Sequence, residues 1–127
     1  MILGTGIDII EVERIRASHE KFGERFLKRI LRPEEIAYCF SHAQPAPFLA
    51  ARFSAKEAIS KAFGTGIGRQ LGWQDMEVRR KESGQPYIIL HDNGQLLFKR
   101  LNASAIHLSL SHTNFYASAV AVLEGLA

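Results

Sequence analysis

One cysteine, one tryptophan and four prolines are all that this chain holds of the residues that staple or stiffen small domains. Cys39 alone excludes an intramolecular disulfide, and no Cys/His cluster has zinc-site spacing, so a packed core must carry the fold. No apolar run approaches the roughly 20 residues that cross a bilayer. The opening "MILGTGID" lacks the basic start and extended apolar stretch of a signal peptide. A soluble, cytoplasmic protein without a membrane partner is therefore expected. Charge of one sign is scarcely in excess: 16 Lys and Arg against 13 Asp and Glu give a net +3 and a pI near 9.2. That balance permits an anionic partner without naming one. No RRM-type aromatic signature or KH-type loop appears, so nucleic acid is not the expected partner. A small basic RNA- or polyanion-binding module without catalysis is kept as the alternative reading. Repeats and low-complexity tracts are absent, and 127 residues are enough for one domain with an ordinary core, read as spanning 1–127.

Hydrophobic periodicity orders what is present. Residues 2–10 read as a strand with apolar side chains on both faces, hence a buried one. From Val12 the period changes: Val12, Ile15, His19, Phe22, Phe26 and Ile30 mark one face of a long helix, weakened at Gly23. "RPEEIAYCF" starts a short helix on Pro33 with two acids in its first turn. After the loop "SHAQPAP", residues 48–63 form a third helix closed by Gly64. "MEVRRKE" and "PYIILH" flank the turn "SGQ" as a hairpin, "NGQLLFKRLN" is a fourth helix, and "AIHLSLSHT" and "FYASAVAVLE" are two strands turning at Asn114. Trp73 and the phenylalanines are assigned to the core or to loop anchors. The sum is an α+β domain with a mostly antiparallel sheet packed against helices.

Three places invite a chemical reading. Asp8 sits in an apolar strand, where an ionised carboxylate is costly unless paired or bound to a cation; a strand-end acid satisfied by backbone N–H groups is equally compatible. Glu57 forms, with Lys61 four residues on, a common helical ion pair. Together the two acids suit a hard cation such as Mg²⁺, with Lys61 beside them for phosphate oxygens. The run Gly64, Gly66, Gly68 follows a helix instead of opening one, so it is not a P-loop; it is either a helix cap with a flexible loop or a close approach of backbone to a ligand. In "IHLSLSHT", alternation puts His107, Ser109 and Ser111 on one strand face and Leu108 and Leu110 on the other.

These segments carry a family resemblance. "GIDIIEVERI", "RFSAKEAISKAFGTGIG" and "HLSLSHT" are similar, in order and spacing, to the signature segments of the bacterial holo-[acyl-carrier-protein] synthases, the short class of 4′-phosphopantetheinyl transferases. The resemblance covers essentially the whole chain. It implies transfer of 4′-phosphopantetheine from coenzyme A to a serine of apo acyl carrier protein, Mg²⁺ dependence, release of 3′,5′-ADP, and a homotrimer with sites between subunits. On that likeness Asp8 and Glu57 are the metal ligands. Lys61 reaches the same phosphates, and Arg52 and Lys56 add positive potential. Gly64 and Gly66 let the chain pass close to the coenzyme, and His107, Ser109 and Ser111 meet its nucleotide end. The serine proton goes to Glu57, or to a water held by Asp8 or the metal. The small residues of "ASAVAVL" would pack near the trimer axis.

One further feature comes from charge alone. At about 100° per residue, Arg14, Lys21, Arg25, Lys28 and Arg32 fall within roughly a 60° sector of the first helix, far round from its apolar face. Residues 14–32 carry seven Lys or Arg against two Glu, a net +5 that exceeds the charge of the whole chain. A solvated face explains such a stripe; the family's acidic carrier protein makes it a docking surface instead.

Overall fold

The computed structural model describes residues 1–126. The strand β1 (Ile2–Glu11) leads into α1 (Val12–Phe22), α2 (Glu24–Ile30), α3 (Pro33–Phe40) and α4 (Ala46–Phe63). A 3-10 turn at Trp73–Asp75 precedes the hairpin β2 (Met76–Arg80) and β3 (Pro86–Leu90); α5 (Asn93–Arg100) then leads to β4 (Ala103–His112) and β5 (Tyr116–Gly125). One antiparallel sheet has the order β1-β5-β4, and β2 and β3 form a separate two-stranded one. The element types and order agree with the α+β reading.

The main sheet and α4 form the centre. Ala119 lies opposite Asp8 and Ala121 opposite Gly6 in the β1–β5 register. The odd-numbered residues of β5 are buried on the α4 side, so the small side chains Ala117, Ala119 and Ala121 belong to the chain's own core. These alanines let a helix lie flat on the sheet. Along α4, Ala50, Ala51, Ala55, Ala58 and Ile59 are buried, and two apolar clusters run end to end beside the helix. With so many small residues, α4 can be enclosed on nearly every side without overpacking.

Two expectations change. The long helix is two helices, because Gly23 takes φ 60° and ψ −140°, outside any helical conformation, while its N–H closes α1 on the His19 carbonyl at 2.8 Å. The break turns Phe22 outward, 55% exposed, while Val12, Ile15, Leu27 and Ile30 still reach the core. Nor is β1 buried on both faces. Gly6 and Ile10 are buried beneath α4, but Ile7 and Ile9 on the opposite face are 65% and 67% exposed. One helical layer covers one face of the sheet.

The contact between β1 and α4 is unusually close. A Cβ added at Gly6 would lie 1.9 Å from the Ala58 carbonyl oxygen, and one at Gly4 would lie 2.0 Å from that of Ala62. Backbone meets backbone, so no side chain can swing aside. Gly6→Ala is accordingly expected to cost at least about 3 kcal/mol of folding stability in urea titration, at the upper end for overpacking. At Gly68, where an added Cβ meets nothing within 4 Å, alanine is expected to change stability by less than about 0.5 kcal/mol. Equal effects at the two positions would refute the close-packing account.

Candidate functional site

The same close packing brings Asp8 against α4. Helical geometry puts Glu57 and Lys61 on one side of α4, with Arg52 and Lys56 roughly 100–140° round from Glu57. Lys61 Nζ lies 3.3 Å from Asp8 Oδ1 and donates to the Ile7 carbonyl at 2.8 Å. The Asp8 side chain is only 17% exposed, and its second oxygen, Oδ2, is buried with no hydrogen-bond partner. An orphaned carboxylate oxygen is expensive, and a hard cation is the group that removes the cost. Glu57, half-buried nearby, has its carboxyl pushed above the ordinary range, first by burial and then by the Asp8 charge, with Lys61 opposing. Two acids that repel each other beside an unsatisfied oxygen fit a divalent ion. Among the described residues no group of three or more His, Cys, Asp or Glu side chains could hold a metal, so further ligands would come from a bound molecule and water.

Lys56 is elsewhere. Its side chain is wholly buried, and Nζ donates to Glu35 Oε1 at 2.8 Å, to the Ile30 carbonyl at 2.7 Å and to the Trp73 carbonyl at 3.1 Å. Glu35 in turn accepts from the backbone N–H groups of Arg32 and Val78. Burial lowers the lysine's proton affinity against the pull of Glu35. The expectation that Lys56 adds potential at the acid pair is therefore corrected: it staples α4 to α3 and β2. Arg52 is also buried, its guanidinium 4.1 Å from the centre of the Tyr38 ring, with Nε and Nη1 unpartnered. It too lies off the Glu57 side of the helix. Residue spacing gives no sign of Glu35 as the partner of Lys56, because 21 positions of chain separate them.

Gly64 caps α4 at φ 81° and Gly66 follows at φ 66°, with both N–H groups bonded to the Ser60 carbonyl or its neighbour. Their need for glycine is conformational, since a Cβ would meet nothing within 4 Å at either. The close approaches of backbone in this fold are at Gly4 and Gly6. His107, Ser109 and Ser111 share a face as expected, opposite Val122, Val120 and Ser118 of β5. That face is the open one, so within one chain the sheet separates them from Asp8 and Glu57. His107 Nε2 is 2.8 Å from Glu124 Oε1.

Of the basic stripe, Arg14, Lys21, Arg25 and Lys28 are exposed, Lys28 beside Glu24 at 3.4 Å. Arg32 leaves it: half-buried, it donates to the Gln74 carbonyl at 2.7 Å and approaches Glu77. The bend at Gly23 also adds what charge counting missed, a cleft in which Phe22 and Phe26 stand among Ser18, Arg25 and Arg29.

Residues 4–121 match the family described as the 4′-phosphopantetheinyl transferase superfamily. A holo-[acyl-carrier-protein] synthase of Koribacter versatilis is 49% identical, covering 98% of this chain and 99% of that protein. Its namesake from Bacillus subtilis is 48% identical over 99% of this chain and 98% of that protein. Among solved structures, the holo-[acyl-carrier-protein] synthase of Neisseria meningitidis superposes with a TM-score of 0.91 at 34% identity, covering 98% of this chain and 99% of that one. The Helicobacter pylori synthase in complex with coenzyme A gives 0.85 at 32% identity, covering 94% and 99%.

The tension at Glu57 has a measurable consequence. A carboxyl whose proton affinity is raised by folding favours the fold while protonated, and that contribution is lost as pH rises through its raised folded value. Glu57→Gln, which cannot ionise, is thus expected to melt above the unsubstituted protein at pH 8 in metal-free buffer. The difference should close as pH falls below the ordinary value of 4.5. A variant less stable at pH 8 would mean that Lys61 already compensates the charge.

Proposed function

Because the chain belongs to the 4′-phosphopantetheinyl transferase superfamily, we propose that it is a holo-[acyl-carrier-protein] synthase, moving 4′-phosphopantetheine from coenzyme A to a serine of apo acyl carrier protein. The observation that carries the reading is the Asp8–Glu57–Lys61 group, with its buried unsatisfied carboxylate oxygen, inside a fold shared with a coenzyme A complex. In the reaction the serine Oγ–phosphorus bond forms, the phosphorus–oxygen bond to 3′,5′-ADP breaks, and the serine proton departs.

Asp8 and Glu57 would hold Mg²⁺, which when bound offsets the negative charge of the pyrophosphate. Lys61, half exposed beside Asp8 Oδ1, would meet phosphate as a point charge. Glu57, or a water held by Asp8 or the metal, would accept the serine proton. Arg14, Lys21, Arg25 and Lys28 present the positive face that an acidic carrier protein needs. Phe22 gives that face an apolar anchor, an arrangement in which charge steers encounter and buried aromatic area holds the complex. A cytosolic setting accords with a single cysteine that is buried and free.

The open sheet face supports a homotrimer. Ile7, Ile9 and Val120 form a contiguous exposed apolar strip, which association would cover. Sharing of sites between neighbours would also give His107, Ser109 and Ser111 a role that the single chain denies them, since the sheet separates them from their own Asp8. Sedimentation velocity is expected to give a trimer, and Ile7→Lys with Val120→Lys a monomer that has lost transfer. An active monomer would reject the shared site.

Incubation with coenzyme A, Mg²⁺ and an apo acyl carrier protein, followed by intact mass, tests the function directly. The carrier should gain one phosphopantetheine. Asp8→Ala is expected to lower the rate at least about a thousandfold, as loss of a metal ligand at a phosphoryl-transfer site does. Arg14→Glu and Arg25→Glu should raise the Michaelis constant for carrier protein far more than that for coenzyme A, and flatten its salt dependence. Absence of the mass increment with the unsubstituted protein would leave the synthase reading without support.

A further inference from the structure

We infer that Ser54 and Ser118 are positioning residues for the metal site, acting through the backbone of Asp8. The inference rests on the two-carboxylate reading above and adds to it two side chains that touch neither phosphate nor metal. Ser54 Oγ donates to the Asp8 carbonyl oxygen at 3.0 Å, and Ser118 Oγ donates to the same oxygen at 3.1 Å. One hydroxyl comes from α4 and the other from β5, the two elements that hold β1 in place. The preceding carbonyl, that of Ile7, is taken by Lys61 at 2.8 Å. Two successive peptide oxygens at the acid are thus held from outside their own strand.

The convergence is selective. Ser54 is fully buried in the middle of α4, where a serine ordinarily turns its hydroxyl back to its own helix. Here the hydroxyl crosses to β1, three residues before Glu57. Ser118 stands between Ala117 and Ala119, the only hydroxyl in a run of small apolar residues. Both choose the carbonyl of the one residue on β1 whose carboxylate lies against α4. In the β1–β5 register this oxygen also faces the ladder N–H of Ala119, so the two hydroxyls bracket a carbonyl already held by the sheet. Fixing this peptide plane restricts where the Asp8 side chain begins, and so where its carboxylate stands relative to Glu57. Simple adhesion between β1 and α4 is already supplied by the backbone contact at Gly4 and Gly6, which requires no hydroxyl.

The test reads metal binding without turnover. Mn²⁺ is titrated into the protein with coenzyme A and no carrier protein, and free Mn²⁺ is followed by electron paramagnetic resonance. Ser54→Ala and Ser118→Ala are each expected to weaken Mn²⁺ by about threefold to tenfold, the range one net hydrogen bond spans. Ser118→Thr, which keeps the hydroxyl, is expected to restore the affinity. In the transfer assay the Mg²⁺ concentration for half-maximal rate should rise by a similar factor, with the rate at saturating Mg²⁺ within about twofold of the original. Lower melting temperatures with unchanged Mn²⁺ titrations would show that the hydroxyls only hold the fold together, and would overturn the inference. Should buried Ser54→Ala fail to fold, half-buried Ser118→Ala and its threonine counterpart decide it. If the unsubstituted protein takes up no Mn²⁺, the two-carboxylate reading falls and this inference falls with it. That outcome is distinct from the one in which only the serine variants are indifferent.

Discussion

The contact on which everything else rests is the one between the backbones of β1 and α4 at Gly4 and Gly6. Carbonyl oxygens of Ala58 and Ala62 occupy the space that side chains would need. A helix normally stands off a sheet by the thickness of interleaved side chains, and here that layer is missing along one strand. Asp8, two residues beyond Gly6, therefore faces the helix at short range, and a short side chain meets Lys61 directly. Had Gly6 been alanine, α4 would stand farther from β1, and Asp8 and Glu57 would be separate surface acids.

Once α4 is placed there, its two sides carry opposite electrostatic solutions. On the inner side, Lys56 and Glu35 are completely buried, and every polar atom at their junction has a partner: two backbone carbonyls for the ammonium, two backbone N–H groups for the carboxylate. Such a pair adds little net stability over an apolar substitute, but it penalises any arrangement that separates its members. It specifies how α3, α4 and β2 meet. On the outer side, Asp8 and Glu57 are left short of positive charge, with one oxygen unpaired and one carboxyl reluctant to ionise. The first arrangement is complete without a ligand. The second keeps an unsatisfied oxygen, which a cation would pair.

The sheet is divided in a similar way. Its inner face is closed by alanines and α4, while its outer face shows Ile7, Ile9 and Val120 beside His107, Ser109 and Ser111. Polar and apolar groups there follow strand parity, and no element of the described chain covers them. The interrupted first helix supplies a third surface. Gly23 divides it, and the ring of Phe22 from the first segment shares one cleft with Phe26, Arg25 and Arg29 of the second.

Sequence by itself determined the element types and order, the cap at Gly64, the alternation in β4, and the candidate acids, because periodicity and turn chemistry are local. The signature segments determined the family. Sequence also determined that residues 14–32 are strongly basic, though not their surface, since one glycine dihedral redirects everything after it. Tertiary structure alone decided which cations on α4 are free. Arg52, Lys56 and Lys61 are alike in a residue count, yet two are sealed in the core and one is half exposed beside Asp8. Their fates depend on which elements close over each side of the helix, and partners such as Glu35 for Lys56, or Ser118 for the Asp8 carbonyl, lie 21 and 110 positions away. No local pattern encodes contacts at that separation; they exist only once the chain has folded.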